Sequence, residues 1–246
     1  MQWKEKIRNL MKRIFASFFS FVLVFIFCSP IISLAREKSI NPGINEHFEN
    51  PDVEDFIERF EGPDRAVYVR RHEIIKALNL KPGNSTADIG AGTGFFSFLM
   101  AQKVGQKGRV YAIDIAKKFV NYINETANKN GLKNVKAIQN TGRSTMLEEQ
   151  SVDRVLICDT YHHFEYPFAM LSSIRKAMKP DAMLVLVDFE RIKGKTAGWI
   201  WNMVRAGKGH FMDEIIDVGF ELIDEVPFSE GHYILRFKKR EMENGH

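Results

Sequence analysis

The chain has 246 residues, of which 45% are apolar, 27% charged and 12% aromatic. This composition is typical of a folded globular protein and excludes a disordered or fibrous one. The formal charge of +4 belongs to the first 35 residues, which hold five basic residues and one acidic residue, so the remaining chain is neutral. Because binding to a phosphate backbone needs a basic surface, nucleic acid is not expected as a partner.

The first 35 residues have the order of a secretion signal. Basic residues end at Lys12-Arg13, an uncharged and mostly apolar run follows over residues 14–34, and the small residue Ala35 closes it. This order predicts a signal peptide cleaved after Ala35. The alternative is an uncleaved signal anchor that contacts the membrane, since the run approaches the roughly 20 residues that span a bilayer. Both interpretations predict an exported body, either periplasmic or secreted, or anchored and facing outward.

Cysteine content limits what can stabilise the fold. The chain has two cysteines, Cys28 and Cys158, so removal of the leader would leave one and no internal disulfide could form. The same count excludes a structural zinc site built from cysteines. His162, His163 and Glu165 lie close in sequence, but nothing nearby completes a ligand set, so no metal site is predicted.

The body begins with a polar segment and two predicted helices. Residues 36–51, which include Pro42 and Gly43, predict a flexible lead-in to a single domain over residues 52–240, with a short tail over 241–246. Apolar spacing over residues 52–61 predicts a short amphipathic helix that Gly62-Pro63 ends. A second helix is predicted over residues 66–80.

From Ser85 onward, short apolar runs alternate with helical windows, which is typical of a parallel sheet covered by helices. The predicted strands are residues 86–89, 109–113, 135–138, 154–158, 183–187, 220–223 and 233–237. The predicted helices between them are residues 95–104, 117–130, 167–178 and 208–218. The pattern therefore predicts one α/β domain.

A glycine-rich turn, Asp88-Ile89-Gly90-Ala91-Gly92-Thr93-Gly94, follows the first predicted strand. Alternate glycines allow a tight turn and let a ligand approach the backbone, while the next helix directs free N–H groups at whatever binds. Asp114 ends the second predicted strand, where a carboxylate can accept hydrogen bonds from two ribose hydroxyls. The combination predicts a nucleotide-like cofactor at the carboxyl ends of the strands.

The residue after the turn argues against dinucleotides. The dinucleotide pattern has a glycine three positions after its second glycine, and Phe95 stands at that position here. Its bulky ring disfavours NAD or FAD, so a nicotinamide oxidoreductase is the least favoured interpretation.

These motifs resemble those of the class I S-adenosylmethionine-dependent methyltransferases, over about residues 65–237. The resemblance implies a Rossmann-like, doubly wound sheet of seven strands, mostly parallel, with a C-terminal antiparallel strand and helices on both faces. It also implies S-adenosylmethionine as the cofactor, with its amino acid end over the glycine turn and its ribose at Asp114. The cofactor-binding residues expected on this basis are Asp88, Gly90, Ala91, Gly92, Gly94, Asp114, Ile115, Thr141 and Asp159.

The sequence departs from the family after the third predicted strand. The family usually has Gly-Asp-Ala there, with an aspartate that meets the adenine amine, whereas this chain has Asn140-Thr141-Gly142. Thr141 offers a hydroxyl and is the residue predicted to meet the adenine. Asp159, after the fourth strand, is predicted to order its loop or to face the methionine end of the cofactor.

Two histidines follow the fourth predicted strand, within a segment that is similar to a motif of the same family. Methyl transfer needs a base only when the acceptor must lose a proton, and histidine titrates in the useful range. His162 and His163 are therefore the predicted catalytic residues, with His162 preferred. The alternative is that either imidazole caps the next helix or hydrogen-bonds the loop. Tyr161 and Phe164 are predicted to wall the acceptor pocket, and packing in the core is the commoner alternative for such rings.

Two functions from different classes remain open. The first is an exported enzyme that transfers a methyl group from S-adenosylmethionine to a small or lipid-like acceptor. Residues 198–205, with two tryptophans, would then line or cover a substrate pocket or, if exposed, contact a hydrophobic acceptor or a membrane surface. The alternative is that their apolar residues pack on the sheet. The second is a non-catalytic protein that binds a nucleoside on the same fold, because export removes the chain from the cytosolic supply of methyl donor.

Overall fold

The computed structural model describes residues 37–240, so the predicted leader and the predicted tail lie outside the described residues. A short 3₁₀ helix, Glu46–Phe48, is followed by helices α1 (Val53–Phe60), α2 (Ala66–Val69) and α3 (Arg71–Ala77). The Asp52 carboxylate accepts the N–H of Glu54 at 3.1 Å and so begins α1 as an N-cap. The predicted amphipathic helix after Asp52 is confirmed.

The single helix predicted over residues 66–80 is wrong, because the chain breaks at Arg70 into α2 and α3. Arg70 leaves helical geometry, with φ −97° and ψ 20°. Its guanidinium donates to the carbonyl of Phe228, lies 4.7 Å from the centre of that ring and pairs with Glu73. A contact with a residue 158 positions away therefore outweighs a helical pattern that runs through the break.

Within residues 37–240, seven strands form one sheet in the order β3-β2-β1-β4-β5-β7-β6. Their bounds are β1 (Ser85–Ile89), β2 (Arg109–Asp114), β3 (Val135–Gln139), β4 (Val152–Cys158), β5 (Met178–Phe189), β6 (Phe220–Ser229) and β7 (His232–Lys239). Strands β1 to β5 are parallel, and β7 runs antiparallel to both β5 and β6. The seven predicted strands and the predicted fold class are confirmed.

The remaining helices are α4 (Phe95–Val104), α5 (Lys117–Lys129), α6 (Pro167–Ala177), α7 (Gly198–Met203) and α8 (Lys208–Asp217). Buried residues of α3, α4 and α5 pack on one face of the sheet, and those of α6 and α8 pack on the other. Both faces of the central strands β1, β4 and β5 are therefore buried, which explains their continuous apolar runs. None of the helices between residues 37 and 240 combines the length and the apolar composition that a membrane span needs.

The strand order reverses at β1, which has β2 on one side and β4 on the other. In an open parallel sheet, such a reversal leaves a crevice beyond the carboxyl ends of the two central strands, because their connections leave in opposite directions. The glycine turn follows β1, and the histidine pair follows β4. The fold therefore brings both sequence motifs to one edge of the sheet.

Candidate functional site

Three glycines of the turn, Gly90, Gly92 and Gly94, have positive φ angles, and the first two line the cleft. Gly90 and Gly92 have positive φ angles of 74° and 53°. A Cβ atom on Gly90 would lie 2.2 Å from the side chain of Thr160, and one on Gly92 would lie 2.9 Å from the ring of Phe60. Because a side chain at either position would meet these neighbours, the turn leaves bare backbone facing the crevice.

Asp114 ends β2 beside this turn and is 6% exposed. Its Oδ2 accepts the N–H of Gly92 at 2.8 Å, and its Oδ1 accepts the N–H of Ala116 at 2.8 Å. Burial raises the pKa of Asp114 to about 6, while these two hydrogen bonds partly oppose the rise. Each carboxylate oxygen keeps a free lone pair, so the group can still accept two further hydrogen bonds.

A cleft of about 660 Å³, including its open mouth, lies between the turn and the loop that follows β4. Five of the predicted site residues line it, namely Gly90, Gly92, Asp114, Ile115 and His163. Six others, namely Asp88, Ala91, Gly94, Thr141, Asp159 and His162, are not among its lining residues. The structure thus brings the turn, the acid and one histidine together around a single hollow.

Asp88 lies behind the turn and is 3% exposed. Its Oδ2 accepts the hydroxyl of Ser97 in the first turn of α4 at 2.7 Å. Burial raises the pKa of Asp88 to about 7, against the effect of that hydrogen bond. In this structure Asp88 holds helix α4 against the turn, and its role toward the amino acid end of a cofactor stays a prediction.

After β3, Asn140 lines the cleft and Thr141 does not, while the contact predicted between Thr141 and an adenine stays a prediction. The Thr141 hydroxyl accepts the N–H of Arg143 at 3.3 Å, and residue 141 pairs with Ser144 in a small bridge. Asn140 lines the cleft, and its Oδ1 is buried and has no hydrogen-bond partner among the described residues. The free acceptor after β3 is therefore an amide oxygen.

His163 is the histidine that faces the cleft. Its ring makes an edge contact with Phe48, with ring centres 5.2 Å apart, and lies 4.3 Å from the ring of His162. Burial, together with the neighbouring His162, lowers the pKa of His163 to about 3. At neutral pH His163 is therefore an uncharged and weakly basic imidazole.

His162 is 1% exposed and forms a buried pair with Asp188 at the end of β5. Its Nδ1 lies 2.8 Å from Oδ1 of Asp188, and its Nε2 has no hydrogen-bond partner among the described residues. Burial alone would lower the pKa of His162, but the Asp188 carboxylate outweighs it and leaves the pKa raised. The pair resembles in its geometry a histidine that a carboxylate orients as a proton acceptor.

Asp159 lies between the side chains of Arg65 and His232 rather than at the cleft. Its Oδ2 pairs with Arg65, and its Oδ1 lies 3.3 Å from Nε2 of His232. Burial disfavours the charged carboxylate, but His232 and Arg65 outweigh that effect and hold the pKa of Asp159 at about 2. Asp159 thus orders its loop, which is one of the two roles predicted for it.

The segment predicted as a lead-in forms one wall of the cleft. The Glu37 carboxylate accepts the N–H groups of Phe168 and Ala169, at 3.1 and 2.8 Å, at the start of α6. Asn45 donates to the carbonyl of His163 at 3.1 Å, and both Asn45 and Phe48 line the cleft. Residues 37–48 therefore contact the domain at both ends of this wall.

Of the two aromatic residues predicted to wall the acceptor pocket, Phe164 lines the cleft and Tyr161 does not. Tyr161 follows the packing alternative, because its ring is fully buried in the core beneath α8. Its hydroxyl donates to Oε2 of Glu214 at 2.8 Å, and Arg205 pairs with the same oxygen at 2.5 Å. A buried phenol needs a partner, and Glu214 supplies it.

Sequence reasoning missed several residues that the fold brings to this region. Asn140 stands inside a motif that the sequence singled out, and Asp188 directly follows the strand predicted over residues 183–187, so a polar residue at each strand end was a usable signal. Phe48 and His232 carry no such signal, because a lone aromatic residue or histidine far along the chain does not indicate a site. Their position follows from the tertiary fold alone.

The parallel sheet, the glycine turn and the acid at the end of β2 define a fold that binds nucleotide-like cofactors. A sequence profile of the family described as "Methyltransferase domain" matches residues 80–219, more than half of the chain. The chain therefore belongs to the methyltransferase domain family.

Curated relatives resemble this chain at low identity. The demethylmenaquinone methyltransferases of Geobacillus kaustophilus and Listeria monocytogenes are each 24% identical to it over 118 residues, which is 48% of this chain. The chain spans about half the length of the curated relatives it matches, since the matched region is 50% of each.

Solved structures share the fold over most of the chain. A SAM dependent methyltransferase from Aquifex aeolicus is 26% identical, with a TM-score of 0.68 over 76% of this chain and 98% of its own. The [4+2]-cyclase SpnF is 15% identical, with a TM-score of 0.62 over 70% of this chain and 80% of its own. The second comparison concerns the fold alone.

Proposed function

We propose that this protein transfers a methyl group from S-adenosylmethionine to a small or lipid-like acceptor. The observation that carries the proposal is the arrangement of one cleft, where bare backbone at Gly90 and Gly92, the Asp114 carboxylate and the unpartnered Oδ1 of Asn140 lie together. These groups match what an adenine nucleoside offers, namely two vicinal hydroxyls and an amine. When bound, S-adenosylmethionine supplies a methyl group on a positively charged sulfur.

Each end of the cleft suits one part of that cofactor. Asp114 would accept hydrogen bonds from the ribose hydroxyls, and Asn140 would accept one from the adenine amine. Ile115 and Phe119 line the same cleft and offer apolar surface to the base. The glycine turn would carry the amino acid end, as the family resemblance implies.

A second hollow of about 440 Å³ supports the choice of acceptor. It lies on the other side of the glycine turn and shares Phe60, Gly90 and Gly92 with the cleft. Aromatic rings of Tyr68, Phe95 and Phe96 line it. Because such a lining favours flat or apolar molecules, we propose that the acceptor enters here.

The names of the curated relatives support the choice of a lipid-like acceptor, whereas the leader concerns only where the protein acts. The curated relatives are described as acting on demethylmenaquinone, and we propose an acceptor of similar lipid-like character for this chain. We further propose that residues 1–35 direct the domain out of the cytoplasm or anchor it at the membrane. An exported domain must then obtain its methyl donor outside the cytosol.

A non-catalytic nucleoside-binding protein is the second candidate function. The observation that favours it is the position of His162, the more basic imidazole, which is not among the residues that line the cleft. If no acceptor reaches Nε2 of His162, the same cleft would hold a nucleoside without turnover.

Binding and turnover test the proposed function separately. S-adenosylhomocysteine and NAD are titrated into the full chain by calorimetry, and we expect binding of the first and none of the second. Turnover is then measured as transfer of a labelled methyl group to a lipid extract. Binding with no transfer to any fraction would favour the nucleoside-binding protein, and failure of S-adenosylhomocysteine to bind would overturn the proposed methyl transfer.

His162→Gln tests whether an acceptor reaches Nε2 of His162, a residue that lines neither hollow. If this imidazole is the general base, the substitution should lower the rate of methyl transfer by about a hundredfold or more. Because the imidazole must be unprotonated to accept a proton, the wild-type rate should rise as the pH rises through the raised pKa of His162. The matched variant His163→Gln should change the rate less, since the pKa of His163 of about 3 makes it a weak base. Steady-state rates over a pH series measure the effects of both substitutions. A larger loss of rate in His163→Gln than in His162→Gln would indicate that His163 is the general base.

A further inference from the structure

The connection between β5 and α8 concentrates positive charge in a chain whose residues 36–246 together have a net charge of zero. Residues 190–208 hold five basic residues and one acidic residue, a net charge of +4. The rest of the chain beyond residue 35 therefore has a net charge of −4. The connection also contains helix α7 and both tryptophans of the body, Trp199 and Trp201.

The start of this connection is an ordered turn that projects into open space. The carbonyl of Ile192 accepts the N–H groups of Lys195 and Thr196 at 3.1 and 3.0 Å. The Thr196 hydroxyl accepts the N–H of Ile192 and donates to the carbonyl of Glu190, both at 2.8 Å. A Cβ atom on Gly194, at the top of the turn, would meet nothing within 4 Å.

Exposed apolar and cationic side chains occur together on this projection, which we call the tip and define as Ile192, Lys193, Lys195 and Trp199. Trp199 is 62% exposed and Ile192 is 42% exposed. Lys193 and Lys195 are exposed, and neither pairs with a carboxylate within residues 37–240. By contrast, Lys208 at the other end of the connection pairs with Glu190 and Glu225.

We propose that the tip inserts into the interface of an anionic lipid bilayer. An indole ring is stable at the level of the lipid headgroups because one part is apolar and its N–H remains solvated. Lysines beside it gain from the negative surface potential of anionic lipids. Trp199 and Ile192 would thus supply apolar contact, and Lys193 and Lys195 would make the tip prefer negatively charged surfaces.

The composition of the tip favours lipid over nucleic acid. Proteins that bind single strands stack bases on aromatic rings and add arginine, and the aliphatic side chain of Ile192 offers no ring. Arg191, the nearest arginine in the sequence, lies 3.6 Å from the centre of the Trp201 ring and is held there by a hydrogen bond to the Trp201 carbonyl.

The tip also adjoins the buried histidines. The ring of Trp199 makes an edge contact with Phe189, with ring centres 5.7 Å apart. Phe189 in turn lies 4.3 Å from the ring of His232 and 5.7 Å from that of His162. Docking through the tip would therefore set this side of the molecule against the bilayer, and it does not depend on the proposed methyl transfer.

Quenching of Trp199 fluorescence by brominated lipids tests the proposal in the full chain. Trp3→Phe and Trp201→Phe leave Trp199 as the single tryptophan. We expect quenching and a blue shift with vesicles of phosphatidylcholine and phosphatidylglycerol, and neither with phosphatidylcholine alone. Adding Lys193→Ala and Lys195→Ala should weaken tip insertion about thirtyfold, the effect of removing two cations at about 1 kcal/mol each.

A matched probe separates tip insertion from attachment of the chain by any other part. Ile223, which is 45% exposed on β6, is replaced by tryptophan in a chain with Trp3→Phe, Trp199→Phe and Trp201→Phe. This Ile223→Trp probe should remain unquenched on the same vesicles. Absence of Trp199 quenching on anionic vesicles, equal quenching of both probes, or a Trp199 response to duplex DNA and not to vesicles would each overturn the proposal.

Discussion

Asp114→Ala is expected to weaken binding of S-adenosylhomocysteine about a hundredfold. The substitution removes an acceptor that would form two charge-assisted hydrogen bonds with the ribose, and losing both costs about 3 kcal/mol. It also frees the N–H groups of Gly92 and Ala116, which the carboxylate now holds at 2.8 Å. Calorimetric titration of the full chain measures the change in Kd.

Three further variants make this result interpretable. Asp114→Asn keeps the size of the side chain, and its Kd for S-adenosylhomocysteine should lie between those of wild type and Asp114→Ala. Asn140→Ala removes one neutral acceptor and should cost about 1 kcal/mol. Glu125→Ala, an exposed acid on α5, should leave the Kd unchanged. If S-adenosylhomocysteine binds Asp114→Asn and Asp114→Ala as tightly as wild type, the ribose assignment is wrong.

The pH dependence of binding gives a second readout of Asp114. Its pKa of about 6 means that the carboxylate is largely ionised at neutral pH and becomes protonated as the pH falls through that value. Affinity should therefore be full above about pH 6 and decline below it. Asp88, with a pKa of about 7, titrates over a similar pH range. The contribution of Asp114 is therefore the part of the pH dependence of affinity that Asp114→Asn abolishes.

Asp188→Ala is expected to lower the free energy of unfolding by about 3 to 5 kcal/mol. Asp188 is fully buried, and its removal leaves the imidazole of His162 without a counter-charge in the core. The variant also loses the hydrogen bond from the N–H of Phe189 to Oδ1 of Asp188 at 2.8 Å. Denaturant unfolding of the full chain measures the difference.

The sign of the pH dependence follows from the raised pKa of His162. A raised pKa in the folded state adds stability that is fully present below the ordinary histidine pKa of about 6.5 and is lost as the pH rises through the folded pKa. The difference in the free energy of unfolding between wild type and Asp188→Ala should therefore be largest in mild acid and become smaller toward alkaline pH. A difference that is constant with pH would show that the pair is not ionised in the folded protein.

An exposed ion pair supplies the matched control for this variant. Asp224, whose side chain is 41% exposed, pairs with Arg236 across β6 and β7. Because water screens such a pair, Asp224→Ala should cost no more than about 1 kcal/mol. A similar cost for Asp188→Ala and Asp224→Ala would contradict the view that the His162–Asp188 pair carries stability through burial.

Local patterns predict much of this structure. The strands follow from apolar runs, and the glycine turn with Asp114 follows from spacing that only one kind of strand-to-helix junction requires. Both signals are contained within a few residues, so they do not depend on how distant parts of the chain pack. For the same reason the sheet and one end of the cleft are predictable from the sequence alone.

Other features depend on contacts that no local pattern contains. The break at Arg70 requires Phe228, and the choice between Asn140 and Thr141 depends on the small bridge that turns the Thr141 hydroxyl toward Arg143. The pairing of His162 with Asp188 requires β4 and β5 to lie side by side. Sequence reasoning identifies such residue types but not which of two neighbours faces the hollow.

The wall built from residues 37–48 affects how this protein should be prepared for measurement. A shortened version that starts at Asp52, where the sequence places the domain boundary, would keep the sheet and the glycine turn. It would lack Asn45 and Phe48 on one side of the hollow and the Glu37 carboxylate that caps α6. Affinities measured on that shortened protein would describe a cleft that lacks one wall. Quantitative work should therefore retain the chain from Glu37 onward.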